Sequence, residues 1–260
     1  MKFKKIKKIL SIAGSDCSSG AGIQADIKTI QSLGGYCLTV LTNVTAQNSK
    51  KVLKISNISD NIITSQINCL LDDYNIDAIK IGLVTRIKTA RILKKYFQKK
   101  KIPIVIDPIF KSTTGFKFSS SVDYLEIQTK LMTFSNLIIP SISEAEILLK
   151  SKIKTETDMI NASKKISQKF KINVLIKGNE LERKKIVDIC YFNNKIYKFK
   201  NNRFLHSNKH GTGCTYSTAV TFFLAKGRNI EEAILSAKEY IKKSIKNAPD
   251  FGLEYGPLKH

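Results

Sequence analysis

Apolar and polar positions along the chain fall into two alternating rhythms. Short apolar runs read as strands: "KKILSIAG" at 7–14, "YCLTVLT" at 36–42, "IDAIKIG" at 76–82, "KIPIVIDP" at 101–108, "SNLIIP" at 135–140 and "INVLIKG" at 172–178. Between them lie helical patterns. "IQADIKTIQSLGG" spaces Ile23, Ile27, Ile30 and Leu33 as one helix face before a glycine stop, and "KTARILKKYFQKK" and "DMINASKKISQKF" are amphipathic. Strands that are apolar throughout are covered on both faces, which implies parallel pairing beneath helices.

After residue 178 the rhythm changes. "KIVDICYFNN" and "KIYKFKNN" predict two strands joined by an Asn-containing turn, a hairpin added to the sheet. Two helices then close the chain, one starting at Gly213 and one from Glu231 with Ile234, Ala237, Ile241 and Ile245 on one face. No linker, repeat or low-complexity tract interrupts the pattern. The expectation is one α/β domain over residues 1–260.

Composition narrows this little. A hydrophobic content of 42% in 260 residues fits a folded globular chain. The formal net charge of +23 suggests a nucleic-acid binder. The excess, however, is lysine spread along the whole chain, without a zinc-finger spacing or an aromatic-interleaved basic motif, so it reads as solvated surface. The five cysteines form no C-x-x-C pair, which argues for a reducing compartment rather than a disulfide framework or zinc site. The apolar part of the N-terminus, Ile9 to Ala13, is too short for a secretory signal, and no run is long enough to span a bilayer. These readings predict a cytoplasmic protein with no membrane partner and no specific nucleic acid.

Candidate chemistry emerges at the strand ends. In an open parallel sheet, ligands bind beyond the carboxyl ends of the strands, and there the sequence places "GSDCSSGAG", "NVTAQNS", "GLVT", "DPIFKSTTG", "PSISEAE" and "KGNE". The first is rich in small residues and opens a helix, either as an anion site or as an ordinary strand-to-helix turn. "HGTGC" has the same character, with two glycines around a threonine just before an apolar helical run. Asp107 ends a strand, where a carboxylate either holds a divalent cation or caps a loop. Glu144 is either a second carboxylate for that cation or an acid favouring a helix dipole. Lys177 can neutralise phosphate charge. Cys214 puts a thiol at the mouth of the second anion turn.

In order and spacing, "IAGSDCSSGAGIQADIKT", "TAQNS", "VIDPIF", "IIPSISEAEILL", "VLIKG" and "HGTGCT" resemble the hydroxymethylpyrimidine/phosphomethylpyrimidine kinases of thiamin biosynthesis, within the ribokinase-like superfamily. The resemblance runs from residue 11 to the C-terminus. It implies a three-layer α/β/α ribokinase-like fold with a mostly parallel sheet and a homodimer. It further implies two successive ATP- and Mg²⁺-dependent phosphorylations, of 4-amino-5-hydroxymethyl-2-methylpyrimidine and then of its monophosphate. By the same resemblance Cys214, Gly211 and Gly213 are catalytic. Cys214 stands where sugar and nucleoside kinases carry an aspartate base, and a helix N-terminus is expected to lower its pKa. Gln47, Gly14, Ala21, Asp26, Leu83 and Ile109 bind the ring substrate. The Gln47 amide offers a donor beside an acceptor to the aminopyrimidine edge. Lys177, Thr212 and Glu144 serve the nucleotide, and Asp107 and Glu144 the Mg²⁺.

The chain departs from the family pattern at Cys17 and Ser19 in "GSDCSSGAG", at Ser141 in "IPS", where an asparagine would help order the metal's waters, and at Asn179-Glu180 in "KGNE". Two other readings stand beside this one. A pyridoxal or pyridoxine kinase acts on a similar hydroxymethyl group, and a weakly active scaffold or nucleic-acid-associated protein would account for the charge and the departures.

Overall fold

The computed structural model describes residues 6–178, 185–202, 210–249, 251–252 and 254–260. Six strands run parallel: β1 (Lys8–Asp16), β2 (Tyr36–Gln47), β4 (Ala78–Ile81), β5 (Ile104–Ile106), β6 (Leu137–Ile138) and β7 (Asn173–Ile176). Three more pair antiparallel at the flanks, β3 (Val52–Asn57) on β2 and the hairpin β8 (Lys185–Phe192) and β9 (Lys195–Asn202) on β7. The nine form one sheet in the order β3-β2-β1-β4-β5-β6-β7-β8-β9. The hairpin turns at Asn193 and Asn194, both in the left-handed region at φ 47 and 63, as a tight two-residue turn requires.

One face of the sheet is covered by α2 (Asp60–Asp73), α3 (Ile87–Phe97), α4 (Ser121–Met132), α5 (Ile142–Leu149) and α6 (Glu156–Phe170). The other is covered by α1 (Gly22–Ser32), α7 (Thr212–Ala225) and α8 (Ile230–Lys246). This is the expected three-layer α/β/α architecture. β3 and α2 are additions that the apolar rhythm does not announce. β3 is a flank strand whose side chains are mostly exposed, so it carries no apolar run. Among the described residues, no helix is long and apolar enough to cross a membrane.

The two faces differ in chemistry. Strand alternation sends Leu10, Ile12, Ile79, Ile81, Ile104 and Ile106 into an all-apolar core against Phe97, Leu131 and Ile166. A fully buried side chain of this size contributes about 1.5–3 kcal/mol. The alternate positions of the same strands carry Ser11, Lys80 and, one residue past β5, Asp107, all buried. They meet α1 and α7, so α1 buries Asp26 and Thr29 along with Ile23 and Ile30. Ile27, expected on the buried stripe, is 40% exposed, because the stripe turns toward these polar partners instead.

Candidate active site

Most helices begin under a side-chain cap: Ser59, Ser120, Ser141, Thr155 and Asn229 each accept from the first turn of α2, α4, α5, α6 and α8. α1, α3 and α7 begin at Ala21, Arg86 and Gly211 with none. Of these, α1 and α7 open onto one cavity, where first-turn N–H groups without intrahelical acceptors suit an anion. Gly211 sits at φ 83, and a Cβ there would run into the carbonyl of Gly20. Glycine is therefore what lets the two loops close on each other.

Between them opens a cavity of about 460 Å³ at the carboxyl edge of the parallel strands. Gly14, Ala21, Gln47, Leu83, Asp107, Ile109, Glu144, Lys177, Gly211, Thr212, Gly213 and Cys214 all line it. β1 and β2 run further than the sequence suggests, to Asp16 and Gln47, so Gly14 and Gln47 are held in the sheet rather than in loops.

Asp26 requires correction. It is fully buried and does not line the cavity. Its Oδ2 lies 2.8 Å from Lys80 Nζ and accepts from Ser11 Oγ at 2.5 Å, while its Oδ1 accepts from Thr218 Oγ1 at 2.6 Å. Asp26 belongs to the layer behind the cavity wall. Its partner Lys80 is held charged: burial favours the neutral amine, but the Asp26 carboxylate outweighs it, with Asp107 adding to the effect.

Lys177 Nζ lies 3.0 Å from Asp107 Oδ1, and Ser217 Oγ donates to Asp107 Oδ2 at 3.1 Å. Burial raises the Asp107 carboxyl, but Lys177 and Lys80 outweigh it and hold it below the usual range. Glu144 is both things the sequence left open. It caps α5 in a reciprocal box with Ser141, whose N–H donates to Oε2 at 2.7 Å, and it faces the cavity. Burial pushes its carboxyl up, and the Asp107 charge adds to this against Lys177. Ser141, one of the family departures, thus serves as the helix cap. The Asn179-Glu180 departure lies outside the described residues.

The Cys214 thiol does not behave as expected. Burial pushes it up to about 12, against the opposing pull of Lys80 and a hydrogen bond from the Gly22 N–H. Desolvation outweighs the helix terminus here, so the resting group is a thiol.

Two site residues went unnamed in the sequence reading although the quoted motifs contain them. His210 Nε2 lies 2.7 Å from Asp16 Oδ2, which also accepts from the Ala21 N–H at 2.8 Å. Asp16 Oδ1 accepts from Ser18 N at 2.8 Å and Ser18 Oγ at 2.7 Å. Burial raises the Asp16 carboxyl, but hydrogen bonds from His210, Ser18 and Gln47 prevail and hold it well below the usual range. An Asp in "GSDCSSGAG" and a His in "HGTGC", one in each glycine-containing motif, is the signal the sequence offers.

The phosphomethylpyrimidine kinase family profile matches residues 16–259. A thiamine biosynthesis bifunctional protein of Geobacter sulfurreducens is 34% identical over 253 residues, 97% of this chain but 52% of that protein, so the chain spans about half its length. The hydroxymethylpyrimidine/phosphomethylpyrimidine kinase of Aquifex aeolicus is 33% identical over 247 residues, 95% of this chain and 97% of the relative. Among solved structures, an ADP complex of Bacillus subtilis pyridoxal kinase superposes with a TM-score of 0.88 at 33% identity, covering 98% of each chain. A phosphomethylpyrimidine kinase from Clostridium difficile 630 gives 0.79 at 35% identity, over 93% of this chain and 100% of the other.

Proposed function

The chain belongs to the phosphomethylpyrimidine kinase family, and on that premise we propose that it transfers phosphate from ATP to 4-amino-5-hydroxymethyl-2-methylpyrimidine and then to the resulting monophosphate. One observation carries the reading: a single cavity unites the Gly211–Gly213 turn and Cys214 with Asp107, Lys177 and Gln47. The turn and the first turn of α7 cradle the transferred phosphoryl group, and Thr212 and Lys177 meet the nucleotide's charge. Gln47 reads the aminopyrimidine edge, while Gly14, Ala21, Leu83 and Ile109 shape the ring pocket.

The residues present fit Mg²⁺. Asp107 and Glu144 are two buried carboxylates: the Asp107 charge adds to burial in raising Glu144, Lys177 acts on both, and Lys80 is already paired with Asp26, which leaves negative charge for a cation to balance. Among the described residues no group of three or more acidic, His or Cys side chains could hold a metal by itself. That suits an ion bound through one or two carboxylates plus phosphates and water. Bound there, Mg²⁺ supplies electrostatic stabilisation of the phosphoryl oxygens. Cys214 sits where the hydroxymethyl oxygen must attack, and as thiolate it takes that oxygen's proton. The second transfer starts from an ionised phosphate and has no such proton to lose.

The same reading carries a cytoplasmic enzyme, one domain over residues 1–260, and a homodimer. For the last, Val44 on β2 and Leu53 on the edge strand β3 are exposed apolar side chains at one end of the sheet. A second reading, pyridoxal kinase, is favoured by the Bacillus subtilis neighbour. A coupled ATP assay with the pyrimidine alcohol, its monophosphate and pyridoxal decides between them. Turnover of both pyrimidines is expected, a stronger response to pyridoxal selects the second reading, and no turnover with any of the three removes the kinase assignment.

A further inference from the structure

Gln47 is the last residue of β2, and the ladder around it is incomplete. On one flank, the last pair between β1 and β2 is Asp16 with Thr45, two residues short of it. On the other, the register with β3 shifts between Ala46 and Gln47. Successive strand residues aim their backbone groups at opposite flanks, and the Asn48 N–H donates on the β3 side, to the Lys51 carbonyl at 3.0 Å. The Gln47 N–H and C=O therefore face the β1 side, beyond its last pair. Cys17 meets both of them. Its Sγ donates to the Gln47 carbonyl at 3.2 Å and accepts from the Gln47 N–H at 3.4 Å. The thiol stands in for the missing strand partner.

We propose that Cys17 is a positioning residue for substrate recognition, clasping the Gln47 backbone so that the Gln47 amide meets the ring. The inference rests on the pyrimidine reading. Gln47 lines the cavity, whereas Cys17 is exposed and does not, so the thiol acts only through its neighbour. The Gln47 side chain is held as well, by a hydrogen bond to the Asp16 carboxylate. With one amide hydrogen given to Asp16, the other hydrogen and the oxygen are left for the aminopyrimidine edge. A long side chain delivers that pair only from a fixed backbone, because a shift at its base is carried to the amide. Cys17 fixes the base and Asp16 the tip. One of the chain's departures from the family pattern thereby acquires a task.

The test measures kcat/KM for the aminopyrimidine alcohol and for its analogue carrying hydrogen in place of the amine. Cys17→Ala is expected to lose about fivefold on the amino compound, the scale of a neutral hydrogen bond. On the analogue, which keeps one of the two bonds to Gln47, the expected loss is about twofold. KM for ATP is expected to stay unchanged. Cys17→Ser, whose hydroxyl also donates and accepts, is expected to lose less than Cys17→Ala. In a Gln47→Leu background, Cys17→Ala is expected to change kcat/KM by less than about twofold, because its route to the ring is gone. Equal losses on both compounds, no loss on either, or the same loss in both backgrounds overturns the assignment. If a thermal melt shows Cys17→Ala unfolded, Cys17→Val keeps the bulk without the hydrogen bonds and carries the same comparison. A wild type that turns over neither pyrimidine removes the pyrimidine reading itself and this inference with it.

Discussion

His210 Nε2 and Asp16 Oδ2 stand 2.7 Å apart although 194 residues separate them in the chain. The contact joins the end of the first strand to the turn that opens α7, so the loops before α1 and α7 are tied through one carboxylate. Gly20 packs against the His210 ring so closely that a Cβ would overlap it.

Acid stability follows from that carboxylate. The folded-state pKa of Asp16 lies below its unfolded value of 3.8, so in acid the unfolded chain binds more protons. Its contribution is complete above that value and is lost as pH falls through the folded pKa. Asp16→Asn is expected to lower stability at pH 7 by about 2 kcal/mol, the scale of hydrogen bonds to a charged group. The difference from wild type narrows below pH 4. A difference in chemical denaturation that stays constant from pH 7 to pH 2.5 would contradict the account.

Cys214 sets a second pH dependence. With the thiol pushed up to about 12, the thiolate fraction grows tenfold per pH unit through the neutral range. The first phosphorylation is expected to accelerate from pH 6.5 to 9 while the second stays flat. Cys214→Ala is expected to slow the first step by about 10²-fold, with a smaller effect on the second. Parallel profiles for the two substrates would leave Cys214 only a role in pocket shape.

Asp107→Asn is expected to cut kcat by at least ~10²-fold, the usual scale of electrostatic stabilisation in phosphoryl transfer. Removal of Mg²⁺ with a chelator is expected to abolish turnover, with recovery on adding the ion back. Unchanged kcat in the variant would take Asp107 out of the metal site.

Gln47→Leu tests ring choice. A buried polar group left unmet costs about 1–3 kcal/mol, roughly 5- to 150-fold in kcat/KM. The loss is expected on the aminopyrimidine and not on pyridoxal, whose phenol and aldehyde do not reproduce the two hydrogen bonds. If both substrates decline together in a folded variant, the amide does not read the ring.

The Asp26–Lys80 pair is wholly buried, with both side chains at 0% exposure. Breaking it from one side strands a charge, so Lys80→Met is expected to cost about 3–5 kcal/mol. The double change Lys80→Met with Asp26→Leu is expected to recover much of that loss. Additive losses in urea denaturation would mean the two charges are not coupled.

The apolar strands and the cavity's carboxyl edge were legible because burial on both faces leaves an unbroken apolar run and because ligand chemistry gathers after such runs. The pairing of Lys80 with Asp26 was not. In "IDAIKIG" a single charge reads as the solvent side of an element, the resemblance puts Asp26 at the ring substrate, and only the pairing of β1 with β4 beneath α1 shows that each is the other's partner. The resting state of Cys214 was misread for a related reason. A helix terminus is visible in sequence, whereas the depth at which the thiol is buried depends on how the turn at Gly22 closes over it.

The sheet has two unlike sides, and tolerance to change divides along them. On the side of α2 to α6, hydrocarbon meets hydrocarbon, and substitutions that conserve volume are absorbed by repacking. On the side of α1 and α7, Ser11, Asp26, Lys80 and Thr218 are committed to one another by name, and a change at one has to be answered at the others. An engineer seeking a sturdier version of this protein would work on the oily side or in the apolar patches under α7 and α8, because the Ser11, Asp26, Lys80 and Thr218 group admits only coordinated edits.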